Sequence, residues 1–220
     1  MIPKNIIQTY KTVDSIPPKY QKFIQTIKDL HPDYNYMFYN DDDVDKFITT
    51  EFPNVVPLYN SFKYNIQRFD LFRLLVIYKY GGFYFDIDVE ITKRVDDLRD
   101  NHVVFPIEFG KDIIVNSAKG KIIPKYTYLD DQLGQYAFAS EQNNMFLKTF
   151  IYNIVTQKIP INEIPDNKQE YVCCTTGPRL LTLTYYEYDN KQEVTLLKNS
   201  EDKPIRFGDY GQHWCFGSWL

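Results

Sequence analysis

The 220 residues, 44% hydrophobic and 17% aromatic, suffice for one domain with a large apolar core. A formal net charge of −4 excludes a protein that grips nucleic-acid backbones, whose footprint would be basic. Three cysteines, two of them adjacent, make no disulfide framework and suit a reducing compartment, and the sequence predicts neither a leader peptide nor a membrane-spanning run of about 18 apolar residues.

Residues 4–10 (KNIIQTY) predict a first strand. Residues 13–18 are a loop in which Pro17 can open a helix. Phe23, Ile24, Ile27 and Leu30 recur at helical spacing, so 20–30 predicts a helix, which His31-Pro32-Asp33 breaks. Residues 34–39 alternate as a second strand. Asn40 and the acids Asp41 to Asp43 predict a helix start, favourable against the helix dipole, leading into 44–52. Capping and solvation account for these acids without a metal. Pro53 and Pro57 punctuate a loop. Residues 58–80 predict one long helix, apolar on most sides near its end and carrying Arg68, Asp70 and Arg73. Gly81-Gly82 stops it, because glycine closes a helix in the left-handed region at little cost.

Phe83-Tyr84-Phe85 has strand composition. Further on, 92–98 predicts a turn and short helix, 102–107 a strand, 108–125 a weakly patterned excursion, and 136–139 a short strand. Residues 143–156 predict a helix with Phe146, Leu147, Phe150, Ile151, Ile154 and Val155 on its apolar face. Residues 159–169 are read as loop, Thr175-Thr176-Gly177-Pro178 as the entry to a helix reaching 186, and 194–197 as a late strand. The tail, 208–220, is rich in glycine and aromatics. Strands interleaved with helices predict an α/β fold with a mostly parallel central sheet, spanning 1–220 as a single domain.

Chemistry concentrates at FDID. An extended chain sends Asp86 and Asp88 to the same side, with Ile87 on the other. Two carboxylates so placed repel unless a cation lies between them. Oxygen ligands suit a hard divalent ion, Mn²⁺ or Mg²⁺, which also binds substrate phosphates. Asp70 and Arg73 share a helix face in an otherwise buried helix. Charges there face a site or pair with something. Tyr84 falls on the same strand side as Asp86. His31 and His102 are read as structural, and without a C-x-x-C pattern Cys173, Cys174 and Cys215 predict no zinc site.

The block from Asp70 to Asp88, DLFRLLVIYKYGGFYFDID, resembles the "D-x-x-R … Y-x-x-G-G-x-Y-x-D-x-D" block of glycosyltransferase family 32. That family type includes initiating α-mannosyltransferases, α1,4-galactosyl and GlcNAc transferases and bacterial capsular sugar transferases; clostridial glucosylating toxins share the block. IPKNIIQTY, HPDYNYMFYND, TTGP and HWCFGSW are similar to its other landmarks, so the likeness runs along nearly the whole chain. The resemblance implies a GT-A fold, the Rossmann-like fold of nucleotide-diphospho-sugar transferases, and transfer with retention to a glycan, protein or lipid hydroxyl. UDP-sugar is favoured as donor, GDP-sugar second. Carried over by position, Ile7, Gln8, Thr9 and Tyr10 would hold the base, with Tyr10 standing where the family usually has Trp. Asp70 and Arg73 would grip the donor sugar, and Tyr84 would lie against the nucleotide. Asp86 would contact ribose, sugar and metal, and Asp88 and His213 would bind the metal directly. Ser218 and Trp219 would close over the diphosphate. Thr176-Gly177-Pro178, with Arg179 nearby, would line the acceptor side. From LDDQL, Asp130, Asp131 or Gln132 could reach the reacting face, Asp131 first. The family's His in IHQTW is Ile7 here, and its His-Pro segment before a helix reads QYAFASEQNNMF, which leaves sugar specificity open.

Two other readings compete. A phosphatase of the haloacid dehalogenase type also uses an aspartate pair after an apolar strand, but has Thr or Val where Glu90 stands here. A catalytically inactive nucleotide-sugar-binding module would keep the fold without turnover. The expected location is cytoplasmic, in a microbe or a virus-infected host, or peripheral to a membrane.

Overall fold

The computed structural model describes residues 1–110, 131–164, 166–198, 200 and 205–215. Its strands are β1 (Asn5–Thr9), β2 (Asn35–Tyr39), β3 (Gly82–Phe85), β4 (Val89–Ile91), β5 (Val103–Gly110), β6 (Asp131–Leu133), β7 (Ala137–Ser140), β8 (Val194–Leu197), β9 (Arg206–Phe207) and β10 (Gly211–His213). Its α-helices are α1 (Pro18–Leu30), α2 (Asp41–Glu51), α3 (Val56–Ser61), α4 (Asn65–Tyr80), α5 (Met145–Val155), α6 (Lys168–Thr175) and α7 (Pro178–Glu187).

The central sheet runs in the order β2-β1-β3-β7-β5-β6, with β8 also paired to β5. β1 pairs in parallel with β2 and β3, and β8 in parallel with β5. β7 slots antiparallel between β3 and β5, and β6 runs antiparallel to the end of β5. Thus β1, β2, β3, β5 and β8 share one direction, as expected for a mostly parallel sheet.

Alternation divides the strand side chains between two cores. Ile7, Tyr84 and Phe138 face the α4 side, with Leu71, Phe72, Leu75 and Phe146. Ile6, Phe83, Phe85, Ala137 and Ala139 face the other side, with Ile27 and Phe207. Helix α4 is apolar nearly all round because it lies inside the first core rather than on the surface.

The acidic run at 41–43 is a capping device, as its position suggests. Asn40 Oδ1 accepts from the Asp43 N–H at 2.8 Å, and the Asp43 carboxylate accepts from the Asn40 N–H at 3.1 Å. His31 is structural. Its Nδ1–H donates to the Ile27 carbonyl, 2.9 Å, and Nε2 accepts from the Val95 N–H, 3.1 Å. Burial lowers its pKa, in keeping with a neutral ring. His102 lies at the surface, 2.9 Å from the Glu141 carboxylate.

Three expectations are corrected. The predicted helix 58–80 is two helices, α3 and α4, because the chain turns extended at Phe62 (ψ 131°) and the Gln67 side chain takes the Tyr64 N–H to start α4 afresh. Pro57 sits in the first turn of α3 instead of a loop. The predicted loop 159–169 runs into α6, which Asn167 caps by accepting from the Glu170 N–H at 2.8 Å. A second sheet, β4-β10-β9, carries no clear sequence signal, since each of its strands spans only a few residues.

The Gly81-Gly82 pair is required by two facts of geometry. Gly81 has φ +63° at the end of α4 and Gly82 has φ +117°. A Cβ on Gly82 would lie 2.5 Å from the Asn5 carbonyl oxygen. This close approach lets β3 pair with β1 immediately after the helix ends. Gly82→Ala is therefore expected to lower the unfolding free energy by about 2 kcal/mol or more, strain and clash together. Urea denaturation would read this; an unchanged midpoint would refute the account.

Candidate active site

Helix α4, the glycine pair, β3 and the FDID turn deliver their polar groups to one place. The carboxyl ends of the parallel strands β1 and β3 open into a cleft of about 410 Å³, the usual position for a ligand site in such sheets. Asp70, Arg73, Tyr84, Asp86, Asp88 and His213 all line it, as do Thr9 and Tyr10.

Arg73 is the centre of the cleft floor. Its guanidinium lies 3.4 Å from Asp70 Oδ1 and 3.4 Å from Asp86 Oδ1, donates to the Gln135 carbonyl at 3.2 Å, and sits 5.1 Å over the Tyr84 ring. Asp70 is held by Gln135 Nε2 at 2.9 Å and by the Thr176 hydroxyl at 2.7 Å. Burial lifts the Asp70 pKa to about 6, against the opposing pull of Arg73 and Thr176. Asp86 accepts from the Tyr84 hydroxyl at 2.8 Å. Burial raises its pKa too, with Arg73 the main opposing charge. Two buried polar atoms here, Arg73 Nε and Gln135 Oε1, have no hydrogen-bond partner among the described residues. Buried polar groups are ordinarily satisfied, so a donor and an acceptor left over beside a cleft suit a polyhydroxylated ligand.

The second sheet brings a third candidate ligand. β10 pairs with β4, setting His213 opposite Val89, one residue after Asp88. The Trp214 N–H donates to the Asp88 carbonyl at 3.1 Å, and the Tyr136 ring stacks on the imidazole at 4.3 Å. Asp86, Asp88 and His213 each offer one atom, all within 4.8 Å of one another. Burial works to lower the His213 pKa, but the hydrogen bond to Asp88, the Cys215 contact and the Asp86 charge carry it up to about 10. The two carboxylates demand positive charge. Two oxygens and one imidazole nitrogen fit a divalent cation of the Mn²⁺ or Mg²⁺ class.

Other expected residues take different places. Ile7 points into the core and is fully buried, because alternation along β1 turns it away from the cleft. Gln8 is fully buried beneath the FDID turn, its amide 3.4 Å from the Phe85 and Asp86 carbonyls and its oxygen accepting from Tyr36. Thr9 donates to the Tyr39 carbonyl at 2.8 Å. Tyr84 contributes through its hydroxyl, since its ring is buried in the core. Asp131 is not among the cleft-lining residues; its neighbour Gln132 on β6 is. Thr176 is buried on Asp70, while Pro178 lines the cleft and Arg179 is spoken for by Glu170, at 2.8 and 2.9 Å. Asp130, Ser218 and Trp219 lie outside the described residues. Sequence reasoning missed Tyr20, Glu108 and Gln135. No spacing links them to FDID; the pairing of strands does.

Comparison with known proteins agrees with the resemblance read from the motifs. A family model described as "Glycosyltransferase sugar-binding region containing DXD motif" matches residues 17–105. Inositol phosphoceramide mannosyltransferase 3 of Schizosaccharomyces pombe is 43% identical over 97 residues, 44% of this chain and 27% of the relative. Initiation-specific alpha-1,6-mannosyltransferase of Candida albicans is 27% identical over 218 residues, 90% of this chain and 57% of the relative. The chain thus spans only about a quarter to somewhat over half of these relatives' lengths. Among solved structures, PaToxG glycosyltransferase superposes with a TM-score of 0.52 at 16% identity, over 84% of this chain and 69% of that one. The fold is GT-A.

With the Asp88 hydrogen bond and the Asp86 charge raising the His213 pKa to about 10, a cation bound through this imidazole would have to displace a proton. Mn²⁺ titrated into the protein at pH 7.5 is expected to release about one proton per ion and to bind more tightly as pH rises. Calorimetry in buffers of different ionisation enthalpy measures this. In His213→Gln the proton release should vanish; its persistence would remove His213 from the ligand set.

Proposed function

We propose that the chain is a metal-dependent glycosyltransferase that moves a hexose from a nucleotide diphosphate to an acceptor hydroxyl, with retention at the anomeric carbon. One observation carries this reading. The Asp70–Arg73–Asp86 cluster and the Asp86–Asp88–His213 trio share one carboxylate and open into one cleft, so a sugar gripped by the first would present its diphosphate to the second. The DXD match over 17–105 supports it.

In this mechanism Asp70, fixed by Thr176 and Gln135, and Arg73 hold the donor sugar's hydroxyls. The unpartnered Gln135 Oε1 and Arg73 Nε provide one further acceptor and one further donor. Asp86 links sugar and diphosphate ends of the donor, kept in its rotamer by Tyr84. A bound Mn²⁺ or Mg²⁺ supplies Lewis-acid neutralisation of the departing diphosphate. His213 favours Mn²⁺, since an imidazole ligand suits it better than Mg²⁺. Tyr10, edge-on to Tyr20 at 6.2 Å, offers a stacking face for the base at the mouth of the cleft. Mannose stands first among donor sugars, because two relatives the chain is similar to are named as mannosyltransferases. The acceptor is a glycan, protein or lipid hydroxyl. No helix among the described residues is long and apolar enough to cross a membrane.

The test is a panel of UDP- and GDP-hexoses with Mn²⁺, reading released nucleotide. Turnover of at least one donor is expected, with Asp88→Ala reducing it about 100-fold or more, the scale of losing a main electrostatic element. Full metal-dependent turnover by Asp88→Ala would refute the site. Nucleotide binding without turnover would instead mark an inactive module.

A pH dependence follows from Asp70. Its raised pKa means that it is ionised only above about 6, so donor kcat/KM should fall on the acid side near that value. The limb belongs to the coupled Asp70–Asp86 pair. Asp70→Asn should reduce kcat/KM about 10-fold or more and displace the limb; an unmoved limb would show that another group sets it.

A further inference from the structure

β5 and β6 pair antiparallel, with Ile107 opposite Leu133 and Phe109 opposite Gln132. Two steps along β5 match one along β6, so Glu108 is the extra residue of a β-bulge. Such a bulge frees its residue from the ladder and re-aims its side chain. The Glu108 carbonyl accepts instead from the Ile205 N–H at 3.0 Å, which anchors the displaced backbone. The Glu108 side chain thereby lines the same cleft as Asp70, Arg73, Asp86 and His213. There its Oε2 accepts from Gln132 Nε2 at 2.8 Å, and Gln132 lines the cleft as well.

Packing does not explain an acid at this place. The preceding residues of β5, Val103, Val104 and Phe105, are fully buried and apolar. Burial raises the Glu108 pKa, with Gln132, His213 and Arg179 opposing it. A desolvated carboxylate is costly, and folds keep such groups where they meet charge. The sugar cluster comes from α4 and β3, and the metal trio from the FDID turn and β10. Glu108 and Gln132 come from a third pair of elements, and no step of the transfer yet uses them.

We propose that Glu108 is a catalytic residue. With Gln132 fixing its orientation, its carboxylate faces the anomeric carbon of the donor hexose and stabilises the positive charge that develops there. This rests on the reading of the cleft as a sugar-transfer site. No bond to Glu108 forms. The electron pair of the breaking C–O bond leaves with the diphosphate, the acceptor oxygen bonds to the carbon, and the acceptor's proton passes to the released diphosphate. A carboxylate beside an oxocarbenium-like centre lowers its energy by direct charge attraction in a site shielded from water. Gln132 is a positioning residue.

The experiment compares Glu108→Gln and Glu108→Ala with the parent, using Mn²⁺ and the UDP- or GDP-hexose that the parent turns over. Both acceptor-free donor hydrolysis and transfer should fall about 100-fold or more. Binding of the Mn²⁺–nucleoside diphosphate without sugar should stay within about threefold, because the carboxylate acts on the reacting carbon and not on the phosphates. Gln132→Ala should lower kcat about 10-fold while leaving donor KM near the parent value, as expected of an interaction made in the transition state. Donor hydrolysis within threefold of the parent in both Glu108 variants would overturn the proposal. So would a loss of turnover matched by an equal loss of diphosphate affinity and thermal stability, which marks a structural role. A parent inert on every nucleotide hexose would defeat the transferase reading itself, and this proposal with it.

Discussion

Arg73 is a charged side chain inside an apolar helix, and much of the site depends on how that charge is met. Removing a guanidinium from water is expensive unless partners surround it. Asp70 and Asp86 flank it at 3.4 Å each, and the Tyr84 ring and the Gln135 carbonyl contact it as well, leaving Nε without a partner among the described residues. One turn of α4 and the end of β3 are thereby locked together. Asp86 is shared, since its carboxylate also lies within 4.8 Å of a ligand atom on each of Asp88 and His213, the group proposed to hold a cation. Loss of either aspartate leaves Arg73 underpaired, so substitutions here disturb local order as well as chemistry.

The sheet topology adds what these residues cannot supply alone. The antiparallel β7 lies beside β3 and leads back to Gln135 and Tyr136, which contact Asp70 and His213. The small β4-β10-β9 sheet folds the C-terminal segment back so that His213 meets Asp88. Trp214 reinforces this return by donating to Glu90 at 3.0 Å and stacking near Phe23 of α1 at 6.5 Å. A site assembled from several distant segments can change shape when one of them moves.

The sequence determined the elements that depend on local pattern. Helical periodicity predicted α1, α5 and the end of α4. Alternation placed β2, strand-like composition placed β1 and β3, and the two-residue period of an extended chain put Asp86 and Asp88 on one side. The glycine pair marked the point where helix becomes strand, and the D-x-x-R to D-x-D spacing tied Asp70 and Arg73 to the acids, because all of them lie within one continuous helix–turn–strand unit. Tertiary structure alone decided the rest. Ile7 and Gln8 adjoin the site in sequence, yet β1 alternation and the Tyr36 contact turn them into support beneath it. Asp131 and Gln132 are neighbours, and strand placement admits only the second to the cleft. Glu108 carries no local signal, because its direction is set by a bulge against a strand over twenty residues away in the chain. The family resemblance implied that Asp86, Asp88 and His213 belong together, but what brings them within 4.8 Å is antiparallel pairing of β10 with β4, and contacts between segments so far apart are fixed by packing rather than by any short-range pattern.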